Sequence, residues 1–131
     1  MRIAATISRY LLGVAFTAFG LNGFLMFMPA PPMTGLPAQF MAVMTASHYM
    51  VPVFVIQIAC GLLLLTGRYV PLALTLLAPV IVNILIYHVT MDPAGIVPGL
   101  VVAICWVLIF VSVRSAFAGI LQDRVAAPVR R

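Results

Sequence analysis

Hydrophobic positions along this chain come in long unbroken runs, not in alternation with polar ones. Four runs stand out, at about 10–28, 47–65, 69–88 and 96–113. Between them lie short polar or helix-breaking stretches: PAPPMTG (29–35), TGR (66–68) and MDPAG (91–95). Pro and Gly in such stretches stop helices and turn the chain. Each run approaches the ~20 apolar residues that a helix needs to cross a bilayer. A transmembrane β-barrel would show alternating polarity in short segments, and none is present. The pattern predicts an all-α integral membrane protein, a four-helix transmembrane bundle.

Composition turns this prediction into a requirement. Of 131 residues, 65% are hydrophobic and 7% charged, with a mean hydropathy of +1.24. A soluble domain is nearer half apolar and a quarter charged, so this chain cannot cover a water-facing surface. No Asp, Glu, Lys or Arg occurs between Arg9 and Arg68, from Tyr69 to Met91, or from Pro93 to Val113. Arg2 and Arg9 ahead of an apolar run would also suit a secretory leader; the run is read here as a permanent helix. The chain divides into a four-helix domain over 1–113 and a basic tail over 114–131.

All seven basic residues are arginine: Arg2, Arg9, Arg68, Arg114, Arg124, Arg130 and Arg131. They precede the first run, separate the second from the third, or follow the fourth. The two other loops hold only His48, His88 and Asp92. By the positive-inside rule both termini are cytoplasmic, which an even number of spans satisfies. The net charge of +5 is thus a topology signal and gives no reason to expect nucleic acid. The tail could also lie on anionic lipid. In the long uncharged outer loop, 39–49 reads as a short interfacial helix able to cover the bundle from outside.

The polar residues inside the runs carry the functional question. Asn22, Gln57 and Asn83 each fall about 7–9 Å below the exoplasmic end of their helix. An amide in hydrocarbon is costly without a partner. Two readings stay open. The amides bond one another as interhelical glue, or they line a shallow polar pocket open to the exoplasmic side. Asn83 and Tyr87 are four apart and share a face. His88 points elsewhere, to the rim, where it can meet water, a headgroup or His48. Trp106 lies too deep for an interfacial belt, so its indole N–H needs a partner or a ligand. Pro79 frees the carbonyl of Thr75 and predicts a kink in the third span. Gly13 with Thr17, and Gly99 with Ala103, mark close helix approach.

Other chemistry is sparse. Cys60 and Cys105 lie at similar depth, without a C-x-x-C motif, and read as small hydrophobes ahead of a redox pair. Met26, Met28, Met33, Met41, Met44, Met50 and Met91 gather toward the exoplasmic end with His48 and His88. That set would suit Cu(I), but repeated close spacing is missing, so packing is preferred and no metal is expected. No catalytic triad, paired carboxylates, P-loop or haem motif is visible.

The stretches LLGVAFTAFGLNGF (11–24), IQIACGLLLLTGRYVPLAL (56–74) and APVIVNILIYHVTMDPAG (78–95), with the four-helix layout, resemble DoxX-type membrane proteins over roughly 10–110. The resemblance implies a four-helix bundle with both ends cytoplasmic in a bacterial inner membrane. It also implies association with membrane complexes, some linked to thiosulfate:quinone oxidoreduction and some to thiol stress. Many members carry an acidic residue where Gln57 stands; Gln57 cannot ionise, which counts against a proton-coupled mechanism. The expectation is an accessory subunit with a lipid or quinone-like ligand held by Asn22, Gln57, Asn83, Tyr87, His88 and Trp106. Its partners would be the bilayer and other membrane subunits or a second copy. The rivals are a ligand-free assembly protein and a quinone-linked oxidoreductase subunit acting on an exoplasmic sulfur compound.

Overall fold

The computed structural model describes residues 1–125; Arg130 and Arg131 of the basic tail lie outside the described residues. Among the described residues the chain is wholly helical. It comprises α1 (Arg2–Leu25), α2 (Gly35–Ala46), α3 (Val51–Thr66), α4 (Val70–Thr90) and α5 (Ile96–Val113). Short 3₁₀ segments occupy Pro93–Gly95 and Arg114–Leu121. Prolines at 37, 52, 71 and 98 all fall in first turns, where a missing N–H removes no intrahelical bond. Pro79 is the exception: α4 runs through it from Val70 to Thr90 without a break.

α1 packs on α3 and α5, and α4 packs on the same two helices, so α1 and α4 stand across the diagonal of a four-helix ring. The core is formed by Leu12, Phe16, Cys60, Leu64, Leu74, Leu77 and Ile109. The outer surface is equally apolar: Val55, Val82, Ile86, Val107 and Ile104 are all exposed. Such a surface is stable only in an apolar solvent. Three helical segments are long and apolar enough to cross a membrane, or four if α2 and α3 count as one bent span. α3 alone has 16 residues, about 24 Å at 1.5 Å per residue, against a hydrocarbon core of about 30 Å.

The tightest seam is α1 against α3. A Cβ on Gly61 would fall 2.7 Å from the Thr17 nitrogen and 2.9 Å from the Gly13 carbonyl oxygen, and would strike the Thr17 hydroxyl. The small residues therefore let two backbones touch, which is how helices associate without a hydrophobic drive. α3 ends in a Schellman motif. Gly67, at φ 68, donates to the Leu64 carbonyl, and Arg68 N–H donates to that of Leu63, the pattern expected of a left-handed glycine.

Two expected spans shift by three residues or more at a boundary, for physical reasons. The first helix starts at Arg2 and ends at Leu25, not at 10 and 28. Arg9 stays inside it because its guanidinium finds acceptors at the end of α3, donating to the Leu64 carbonyl and, at 3.4 Å, to that of Leu65. Met26, at φ 51, then turns the chain out. The second span begins at Val51, not 47, because His48 at φ 56 breaks it from α2. α2 meets α3 at 88°, so α2 lies across the bundle axis and starts four residues before the short helix expected there.

Candidate functional site

The helix directions put the starts of α1 and α4 and the ends of α3 and α5 at one end. Arg2, Arg9, Arg68 and Arg114 cluster there, and it is called the arginine end below. The opposite end holds α2, His48, His88 and Asp92, and is the histidine end. The six residues expected to bind a ligand do not form one pocket.

Asn22 is half-buried. Its Oδ1 accepts the Met28 N–H at 2.7 Å, so it closes the turn that follows α1. Asn83 is exposed on the outside of α4, and its Nδ2 donates back to the Pro79 carbonyl at 2.8 Å. Gln57 alone is buried, at 7% exposure, and its Oε1 has no hydrogen-bond partner. The expected amide level is therefore corrected. No amide–amide bond links the three helices, because Asn83 faces outward while Gln57 faces inward. Along the axes the amides also differ: Asn22 is three residues from the end of α1, Gln57 six from the start of α3 and Asn83 seven from the end of α4, and such a count carries no information about rotation around the axis.

Trp106 finds a protein partner: its Nε1 donates to the Leu74 carbonyl of α4 at 3.0 Å. Its ring stacks on Phe110 at 5.1 Å between centroids, and Phe110 meets Phe117 at 4.9 Å. This ladder ties the segment after α5 to the bundle. The indole is thus a link between α4 and α5.

The polar constellation at the histidine end is more local than expected. His88 Nδ1 lies 3.1 Å from the Asp92 carbonyl oxygen and 3.4 Å from its Oδ2. Two acceptors against one ring nitrogen put the proton on Nδ1 and leave Nε2 as an acceptor in the neutral ring. His88 therefore pairs with Asp92 in its own loop rather than with His48. Gly95 permits this: a Cβ there would fall 2.6 Å from Asp92 Oδ2 and 2.8 Å from the imidazole Cε1. Tyr87, one turn beyond Asn83 on α4, packs against α2. Its ring meets Phe40 at 5.5 Å and its hydroxyl reaches Met33 Sδ at 3.8 Å. A shallow trough of about 310 Å³ runs beside this contact, between α2 and Met91.

A His–Asp pair is the orienting half of an acid–base device. Among the described residues no three His, Cys, Asp or Glu side chains come together as metal ligands. Cys60 and Cys105 are both buried, free thiols of the core. Sequence reasoning placed Thr17 at a close helix approach but did not foresee that its hydroxyl is buried and unpartnered beside Gly61. It missed Arg9, which ties α1 to the end of α3. The one available signal was the G-x-x-x-T spacing, which marks a seam but does not say which polar atoms it strands.

Comparison of the chain with protein-family models, with curated proteins and with solved structures finds no match.

Proposed function

We propose that this chain is a small DoxX-like multi-pass protein of a bacterial inner membrane, with both termini cytoplasmic. It acts there as an accessory subunit that offers α4 to a partner helix. The observation that supports this most is Asn83. Its amide stands on an exposed face among Val82, Ile86 and Pro79, a surface that lipid would otherwise cover. A polar side chain on a lipid-facing stripe is stabilised when a neighbouring helix supplies a hydrogen-bond partner, and intramembrane polar residues mark functional faces by default. One Nδ2 proton is used by the Pro79 carbonyl, leaving the second proton and Oδ1 for a partner. The arginine distribution supports the orientation, since the described arginines all lie at or beyond one end of the bundle.

A lipid or quinone-like ligand has a narrower support, the unpartnered Oε1 of buried Gln57. A hydroxyl or water reaching it between α1 and α3 would satisfy an acceptor that otherwise costs stability.

The test is a photo-crosslinking amino acid at position 83, with position 107 on the exposed face of α5 as control, in cells followed by gentle extraction. A protein adduct at 83 and lipid adducts at 107 are expected, with the adduct mass naming a second copy or another subunit. Lipid adducts at both positions would overturn the partner face. Native mass spectrometry of the same extract reads any retained quinone or lipid. Its loss in Gln57→Leu is expected, and retention in that variant removes Gln57 from the ligand reading.

A further inference from the structure

The arginine end holds a cavity that none of these readings uses. It has a volume of about 340 Å³ and lies between the first two turns of α1, the start of α4 and the last turn of α5. Arg2, Thr6 and Arg9 line one side, at i, i+4 and i+7 of α1, and Ser112 faces them from α5. The floor is apolar, formed by Ile109 and Val70 among others.

The donors in this cavity are under-used. Arg9 gives only Nη1 to the carbonyls of α3; its Nη2 and Nε have no protein acceptor among the described residues. Its guanidinium is held in place by those bonds and by the Tyr10 ring, 4.5 Å from Cζ. Arg2 has no carboxylate partner among the described residues, where the one ion pair is His88 with Asp92. Ser112 donates to the Ile109 carbonyl at 2.6 Å. Two cations without carboxylate partners among the described residues therefore face an apolar floor, at the arginine end of the bundle.

We propose that this cavity binds the anionic phosphodiester headgroup of a membrane lipid, with Arg2 and Arg9 on the phosphate and the Ile109–Val70 floor against the glycerol and upper chain. The guanidinium fork matches phosphate oxygens. A free phosphate would use the arginines but leave the apolar floor wet, so a lipid fits the whole lining. The inference rests on the membrane reading, and is independent of the partner proposed for α4.

The experiment is native mass spectrometry of the purified full chain, titrated with phosphatidylglycerol and with phosphatidylcholine of identical acyl chains. Arg2→Gln is the site variant, because Arg2 is the first residue of α1 and is exposed. Arg68→Gln removes the same charge at the same end, outside the cavity. Wild type should prefer phosphatidylglycerol. Arg2→Gln should weaken that binding about fivefold, the effect of one basic residue near an anionic headgroup, and Arg68→Gln should leave it unchanged. Equal binding of the two lipids, or an equal loss in Arg68→Gln, would overturn the site in favour of diffuse surface charge. Complete displacement of the lipid by inorganic phosphate would show a phosphate site with no role for the apolar floor, and would also overturn it. Neither result bears on crosslinking at residue 83.

Discussion

The α1–α3 seam and helix α2 are built from similar residues and held in opposite ways. Both are uncharged apart from Arg2 and Arg9, and both are rich in apolar side chains. In the seam, Gly13, Gly20 and Gly61 bring backbone against backbone, and Arg9 locks the end of α3. α2 buries no residue at all. It is attached through Phe40 on Tyr87, and the loop just before it through Met33 on the Tyr87 hydroxyl. Hydrophobicity therefore does not decide what is rigid in this molecule. Inside a bilayer, water expulsion no longer rewards helix contact, so steric closeness and interhelical hydrogen bonds do the sorting. The seam has both and α2 has neither.

The same substitution in the two regions breaks the comparison most sharply. Gly61→Ala puts a methyl onto the Thr17 backbone and the Gly13 carbonyl, so two helices must separate. Its expected cost is about 1–3 kcal/mol, the usual range for overpacking. Gly35→Ala, at the start of α2, meets nothing within 4 Å and strains only its own φ of 67, for about 1 kcal/mol. Thermal unfolding in detergent should show the larger fall in Tm for the first and a smaller one for the second. Equal shifts would mean that the seam relaxes freely and is not the rigid element.

Next in size is Arg9→Gln, read in lipid-free detergent so that headgroup binding does not contribute. The change removes a charged donor from the carbonyls ending α3, where a cation also meets the negative end of the helix dipole. A loss of about 1–2 kcal/mol is expected from these terms. Arg9→Lys should recover part of it, since it restores charge without the planar fork. A variant as stable as wild type would show that the Schellman turn at Gly67 caps α3 unaided.

How far the sequence reveals this difference depends on the kind of information each feature needs. Runs of apolar residues and their Pro–Gly breaks locate the helices, because spanning length and turn chemistry are one-dimensional properties. The last helix, 96–113, needs no adjustment. The first starts eight residues early because Arg9 has a partner 55 residues away, and no local pattern contains that contact. The candidate site was less legible still. Counting along the runs places Asn22, Gln57 and Asn83 at one depth, but the count moves with the helix ends, which fall at Leu25 and Thr90, and it says nothing of azimuth: Asn83 turns out of the bundle while Gln57 turns in. Trp106 was legible as a residue in need of a partner, yet that partner is the backbone of Leu74, which any residue at that position would have supplied.

The smallest effect tests the loose side of the comparison. Phe40→Ala removes the one aromatic contact between α2 and the bundle, a pair 5.5 Å apart and tilted at 44°. Such pairs contribute about 0.5–1.5 kcal/mol beyond their buried area. Because α2 is not part of the core, that loss should stay within α2, leaving the Tm of the bundle unchanged. Hydrogen exchange is the suitable readout, since it resolves local opening from global unfolding. Amides of α2 should exchange about fivefold faster, the factor that about 1 kcal/mol gives, while those of α3 and α4 keep their wild-type rates. The remaining contact, the Tyr87 hydroxyl on Met33 Sδ, is too long and too soft to hold the helix by itself. If exchange in α3 rises together with α2, the 88° junction at His48 transmits strain, and the two helices behave as one bent element. If only α2 responds, it is a separately hinged cover over the histidine end, and His88, Asp92 and Tyr87 become accessible from that side whenever it lifts.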